Sequence, residues 1–232
     1  MDSTMDVATR QKFLEYLYQY ISPHKLARYE EVINNRTRHL TLVMEDIYQT
    51  QNASAVLRSA DCFGLQDVHV IEIRNKYSVN KDVARGAPKW ITQHKYINGQ
   101  DNTADCYKAL KDQGYRIVAT SPHAKAHTIY SLPIEQKTAL VFGTEKFGLS
   151  KYAFDNADDY VAIPIYGFTE SFNISVTAAL FMQHLVHKIR NSNIGWKLRE
   201  EEKLDILLKW AWNSVHKPYL LEKHFKSSLL IS

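Results

Sequence analysis

HLTLVMEDIYQTQNASAVLRSADCFGLQDVHVIEI, residues 39–73, holds two apolar runs of strand length around a segment with helical spacing that ends in a glycine, Gly64. Parallel strands need a crossover of a dozen or more residues, and that order of elements is a βαβ unit. The alternation continues outward from it. TADCYKALKDQG (103–114) reads as a helix closed by a second glycine and YRIVAT (115–120) as a strand. TALVFG (138–143) is a further strand, followed by a short helix near LSKYAFDNA (149–157), the strand YVAIPI (160–165) and a long helix from about Asn173 to Arg190. The strands are apolar without clean alternation, as in a parallel sheet covered by helices on both faces. The pattern predicts a doubly wound α/β domain over about residues 38–190.

Helical segments flank this domain. Phe13, Leu14, Leu17, Tyr18 and Ile21 fall on one helical face, and Ser22-Pro23 opens a second helix, so residues 1–37 form a helical extension. Residues 191–232 form another, with Leu204, Leu207, Leu208, Ala211 and Val215 on one side and Trp210 and Trp212 close by. A helix this short needs a partner, expected to be the domain or a second copy of the chain. For its tryptophans, packing is the first expectation.

Composition narrows the function classes. The chain has 232 residues, 45% of them apolar, enough for a full core. It has no apolar run of membrane-spanning length, and an acidic start, MDSTMDVATRQKF, where a signal peptide would be basic and apolar. A cytoplasmic location is expected. Cys62 and Cys106 lie in predicted helices without metal-ligand spacing, so neither a disulfide framework nor a metal is expected. The net charge of +4 is modest, but basic residues cluster at Lys25–His39, Arg74–Lys89 and Lys188–Arg199, which fits a polyanionic partner.

In open α/β sheets, ligands bind beyond the carboxyl ends of the strands, which selects four loops. In the first, Asn52 is placed to cap a helix, and Arg58 lies about a turn and a half on, where Asp61 is an ordinary ion-pair partner. In the second, Thr120 and Ser121 end a strand, as a simple turn would. In the third, GTEKFGLS, Gly143 and Gly148 have P-loop spacing, but Leu149 replaces the essential lysine, which excludes a nucleotide triphosphatase. No G-x-G-x-x-G follows any strand, so a dinucleotide site has no support. In the fourth, Pro164 ends a strand, Gly167 permits an unusual backbone angle, and Ser171 or Asn173 caps a helix backed by small residues. Capping accounts for one of those two polar side chains, not both.

Taken in order, NASAVLRSADCFG (52–64), VFGTEKFGLS (141–150) and IPIYGFTESFNISVTAAL (163–180) resemble the three motifs of the SPOUT class of RNA methyltransferases, in its SpoU branch of ribose 2′-O-methyltransferases. The resemblance covers about residues 38–190, and the helical flanks bring the chain nearest the tRNA (guanosine-18) members. It implies a deep trefoil knot between about Thr120 and His187, an exception to the rule against threaded chains. It implies S-adenosyl-L-methionine bound at Thr120, Gly143, Ile163 and Phe172, a homodimer with tRNA as substrate and DNA as no partner, and catalytic or structural roles for Asn52, Arg58, Glu145, Ser171 and Asn173. Two positions depart from the pattern: YQTQN lacks the Pro-x-Asn form common before the first motif, and Phe172 stands where leucine is frequent. The resemblance casts Arg58 as general base. A guanidinium, which is not deprotonated in proteins, is better suited to stabilising a developing alkoxide. The same chemistry on a tRNA wobble ribose or an rRNA site, and a non-catalytic RNA-binding relative, are the alternatives.

Overall fold

A computed structural model describes residues 5–229; the outermost residues of both expected extensions, 1–4 and 230–232, lie outside the described residues. The chain divides into two units, one of residues 37–196 and one of 5–36 with 197–229.

The larger unit is a sheet of seven parallel strands: β1 (Leu40–Glu45), β2 (Asp67–Ile71), β3 (Thr92–Tyr96), β4 (Arg116–Thr120), β5 (His127–Thr128), β6 (Thr138–Phe142) and β7 (Asp159–Ala162). Their spatial order is β3-β2-β1-β6-β4-β7-β5. Sequence reading missed β3, an edge strand of TQHKY whose residues are only partly buried, and the two-residue β5. Neither has the apolar run that marks the central strands.

Within β1, Leu40, Leu42 and Met44 join one apolar cluster and Val43 joins another, so the two faces of the sheet have separate cores. The first face is covered by α3 (Thr50–Cys62) and α7 (Ile174–Arg190), which supply Val56, Leu57, Phe181, Met182 and Leu185, with the short α4 (Lys81–Ala84) against α3. The second is covered by α5 (Asn102–Asp112) and α6 (Lys151–Asp155), with Cys106, Leu110 and Ala153. Gly64 has φ +80 directly after α3, the left-handed position that lets the chain turn into β2.

The smaller unit packs α1 (Val7–Tyr18) and α2 (Pro23–Ile33) with α8 (Glu200–Trp212) and α9 (Pro218–Leu229). The C-terminal helix expected to need the domain or a second copy therefore has N-terminal partners. Phe13 meets Phe225 at 4.9 Å between ring centroids, and the Tyr29 hydroxyl donates to the carbonyl of buried Trp210 at 3.0 Å. Arg36 is buried with its guanidinium 5.5 Å from the Trp210 ring, so it belongs to packing rather than to a basic surface. The first basic cluster is dispersed further, because Arg38 pairs with Asp67 at 2.7 Å and buried His39 binds the Ile134 carbonyl.

At the β2–β3 edge, Asp67 contacts both Arg38 and His94, at 2.7 and 3.0 Å. Burial alone would raise its carboxyl pKa, but the His94 hydrogen bond and the Arg38 charge outweigh that and hold it below the usual range. Beside it His69 stacks on His94 at 4.6 Å, and burial, aided by the facing His94 ring, pushes its pKa down to about 3. An unfolded histidine takes up a proton near pH 6.5, so below that pH the unfolded state binds more protons and stability falls. For Asp67 the stabilisation is present above the unfolded carboxylate value of about 3.9 and is lost as pH falls through the lowered native one. Urea unfolding followed against pH is thus expected to show stability falling below pH 6.5 by up to about 1.4 kcal/mol per pH unit. His69→Leu is expected to flatten that slope between pH 6 and 4, and an unchanged slope would refute the assignment.

Candidate active site

β1 is followed by a connection to β2 on one side of it, whereas its neighbour β6 leads to β7 on the other. That reversal opens a crevice at the carboxyl ends of the strands. A cleft of about 690 Å³ lies there, walled by segments that follow β1, β4, β6 and β7. Its size is that of a cofactor or small-ligand site. Phe142, Val161, Ile163 and Phe181 give it apolar walls, while Thr120, Thr144, Glu145, Ser171 and Asn173 bring polar groups.

Eight of the nine sequence-derived candidates line this cleft: Asn52, Glu145, Ser171, Asn173, Thr120, Gly143, Ile163 and Phe172. Arg58 does not. It is exposed on α3 and makes no hydrogen bond or ion pair among the described residues, so the expected Arg58–Asp61 pair is absent.

Asn52 differs from its expected capping role. The helix begins at Thr50, two residues early, with Gln49 extended before it, which places Asn52 inside the first turn and 7% exposed. Its amide Nδ2 donates to Glu145 Oε1 at 2.6 Å and to Gln49 Oε1 at 3.1 Å, and its Oδ1 accepts from Asn173 Nδ2 at 3.2 Å. Asn173 is the cap of α7, accepting the Ser175 N–H at 2.9 Å and the Ser175 hydroxyl at 2.6 Å. Both polar residues of the fourth loop are thereby distinguished: Asn173 caps and joins the network, whereas exposed Ser171 makes no hydrogen bond among the described residues. β7 stops at Ala162, before Pro164, and Gly167 does not take a positive φ, contrary to expectation. The loop 163–172 has no close packing at Gly167 that would demand one.

The third loop owes its shape to Gly143. A Cβ there would fall 2.2 Å from the backbone of Gly148 and 2.3 Å from Leu149 N, so the turn folds back directly onto this residue. Thr144 and Gly148 close it with two backbone hydrogen bonds of 2.9 and 3.0 Å. Thr120 Oγ1 donates to the Val141 carbonyl at 2.8 Å, fixing the end of β4 against β6.

Two buried carboxylates went unread in the sequence. Glu45 accepts from Thr103, from the Ser150 hydroxyl and from the Ser150 N–H, each at 2.8 Å, and so holds the start of α6. Asp46, with φ +56, accepts the backbone N–H groups of Ile73, Arg74 and Asn75 at 3.1, 2.7 and 2.8 Å. An acidic pair ending an apolar strand was the available signal; the partners come from distant loops.

Gly143→Ala forces the turn off Gly148, at a cost of roughly 2 kcal/mol. The thermal midpoint is expected to fall by about 4–8 °C, with faster hydrogen exchange at the Gly148 N–H. An unaltered midpoint and exchange rate would contradict the close approach.

The description SpoU rRNA Methylase family matches residues 39–183. A tRNA (guanosine(18)-2'-O)-methyltransferase from Borreliella burgdorferi is 46% identical over 199 residues, covering 86% of this chain and 89% of that protein. The crystal structure of an Aquifex aeolicus TrmH/SpoU tRNA modifying enzyme superposes with a TM-score of 0.74 at 27% identity, covering 84% of this chain and 98% of the other. The AviRb methyltransferase from Streptomyces viridochromogenes, solved in complex with AdoMet, shares the fold at a TM-score of 0.59 and 21% identity over 70% of this chain and 65% of that one. With the family match spanning most of the sheet and its cleft, the chain belongs to the SpoU methylase family.

Proposed function

We propose that this chain is an S-adenosyl-L-methionine-dependent tRNA 2′-O-methyltransferase acting on the ribose of guanosine 18. The observation that carries the reading is the junction of three motif segments at one cleft, through Glu145, Asn52 and Asn173. The similarity to guanosine-18 enzymes along most of the chain supports the substrate. Among the described residues no helix is long and apolar enough to cross a membrane, and a cytoplasmic location accompanies the reading.

The cleft fits the donor in volume and in kind, with apolar walls for a purine and polar groups at the rim. Thr120, Gly143, Ile163 and Phe172 hold it in this reading. When bound, S-adenosyl-L-methionine supplies an electrophilic methyl group. The residues of the chain then have to bring a ribose hydroxyl in line with that methyl and stabilise the charge that develops on its oxygen. Asn52 and Asn173 keep Glu145 and the start of α7 in fixed relation, and Ser171, with its hydroxyl unengaged, places the ribose or its phosphate. Arg58 remains charged, grips the adjacent phosphate and stabilises the alkoxide as the proton leaves through phosphate or water. The trefoil knot between about Thr120 and His187 belongs to this reading; β6 inserted between β1 and β4, with β7 beyond β4, is the strand order that supports it.

Arg58 lies outside the lining of the cleft, which favours its service at the cleft of a second copy in a homodimer. The exposed charges of Arg74, Lys76, Lys81, Arg85 and Lys89, the one basic cluster of the three whose residues are all exposed, offer contacts for RNA phosphates.

Labelled donor is expected to methylate an unmodified tRNA transcript and to leave a transcript carrying 2′-deoxyguanosine at position 18 unlabelled. Equal label in both would remove the assigned substrate. Arg58→Ala is expected to lower kcat by about 10²–10³ with donor affinity retained. Mixing Arg58→Ala chains with chains made inactive by Gly143→Arg is expected to restore activity to about a quarter of native, because half the dimers then hold one complete site. No restoration would place Arg58 at the cleft of its own chain.

A further inference from the structure

The turn between Gly143 and Gly148 carries Phe147, which is 65% exposed although it lines the cleft. A large aromatic side chain left in water at the rim of a site is not explained by the packing of the turn, which Gly143 and the Thr144–Gly148 bonds already fix. Its backbone N–H is held by Thr144 Oγ1 at 3.0 Å, so the ring projects from a rigid mount.

Two cations attend this ring. Arg74 Cζ lies 5.3 Å and Lys146 Nζ 5.2 Å from its centroid. Arg74 comes from the segment after β2, and its position is dictated by Asp46, which accepts its backbone N–H at 2.7 Å and its Nε at 3.3 Å while gripping the two neighbouring N–H groups. The Arg74 side chain is nonetheless 65% exposed, with its terminal nitrogens available to solvent. Lys146 is exposed and makes no hydrogen bond among the described residues. An exposed aromatic ring attended by one anchored cation and one without a hydrogen bond has the chemistry of a single-stranded nucleotide subsite, in which a base stacks and its phosphate is paired.

From this arrangement we propose that Phe147 is a stacking platform for a nucleobase of the substrate RNA, with Arg74 and Lys146 binding the phosphate beside that base and Asp46 acting as the residue that positions Arg74. The inference rests on the RNA-methylating function proposed above and adds a specificity-determining subsite to it. An unpaired base neighbouring the target nucleotide is the class of ligand this surface takes; a duplexed base offers no free face.

Steady-state kinetics on Phe147 variants test it. Phe147→Leu is expected to raise KM for tRNA roughly tenfold while kcat and the donor dissociation constant stay within about twofold, and Phe147→Trp is expected to restore KM. The added indole should lose fluorescence on titration with tRNA but not with S-adenosyl-L-methionine, the native protein serving as the baseline. Arg74→Ala should raise KM and reduce the slope of log affinity against log salt by about one. An unchanged KM in Phe147→Leu, a change confined to donor binding, or a KM defect that Phe147→Trp does not repair would each overturn the platform while leaving the methyltransferase reading standing. A native protein that transfers methyl to no RNA would overturn that reading, and the platform with it.

Discussion

The side-chain amide of Asn52 is the point on which the cleft depends. It is almost wholly buried, and it donates to Glu145 and accepts from Asn173, so a residue on α3 ties the turn after β6 to the start of α7. These segments follow strands on the two sides of the topological switch, and nothing in sheet pairing obliges them to meet. An amide is suited to the task because it offers a donor to a carboxylate and an acceptor to another amide at once. Hydrogen bonds to a charged group are the stronger kind, about 1.5–3 kcal/mol each, and a buried amide left unpaired is costly. The network therefore stabilises one arrangement of the three loops and penalises the others.

Rigid support lies behind it. Gly143 lets the turn fold onto itself, Thr120 locks β4 to β6, and Glu45 holds the first turn of α6. Asp46 adopts a left-handed conformation and collects three successive N–H groups from the segment after β2. Such a residue is strained on its own and persists because its hydrogen bonds determine it. The carboxyl ends of the strands are thus set by buried polar contacts, while the faces of the sheet are set by apolar packing. This division lets the rim vary in chemistry without disturbing the core.

The central strands and their covering helices were legible in the sequence because apolar runs and helical spacing are local signals. β1, β2, β4, β6 and β7, and the helices α3, α5 and α7, follow from them. β3 and β5 were not, since an edge strand of polar residues and a two-residue strand owe their existence to neighbours. Motif order pointed to eight residues that share the cleft, yet the local pattern around Asn52 offered only a helix cap, because a partner 93 positions away leaves no local trace. Burial of Arg36 and pairing of Arg38 broke up the first basic cluster, which a count of charges does not reveal. Asp46 and Phe147 went unnoticed for a related reason: φ, exposure and the approach of Arg74 are properties of the fold.

Calorimetric titration of S-adenosyl-L-methionine into native protein and Asn52→Ala is the direct test of whether Asn52 keeps the cleft in the shape that takes the donor. The expected result is saturable one-to-one binding by native chains and binding at least tenfold weaker in the variant, with its circular dichroism and thermal unfolding cooperativity retained. Equal affinity in the two proteins would contradict the account, because the cleft would then keep its shape without the contact said to fix it.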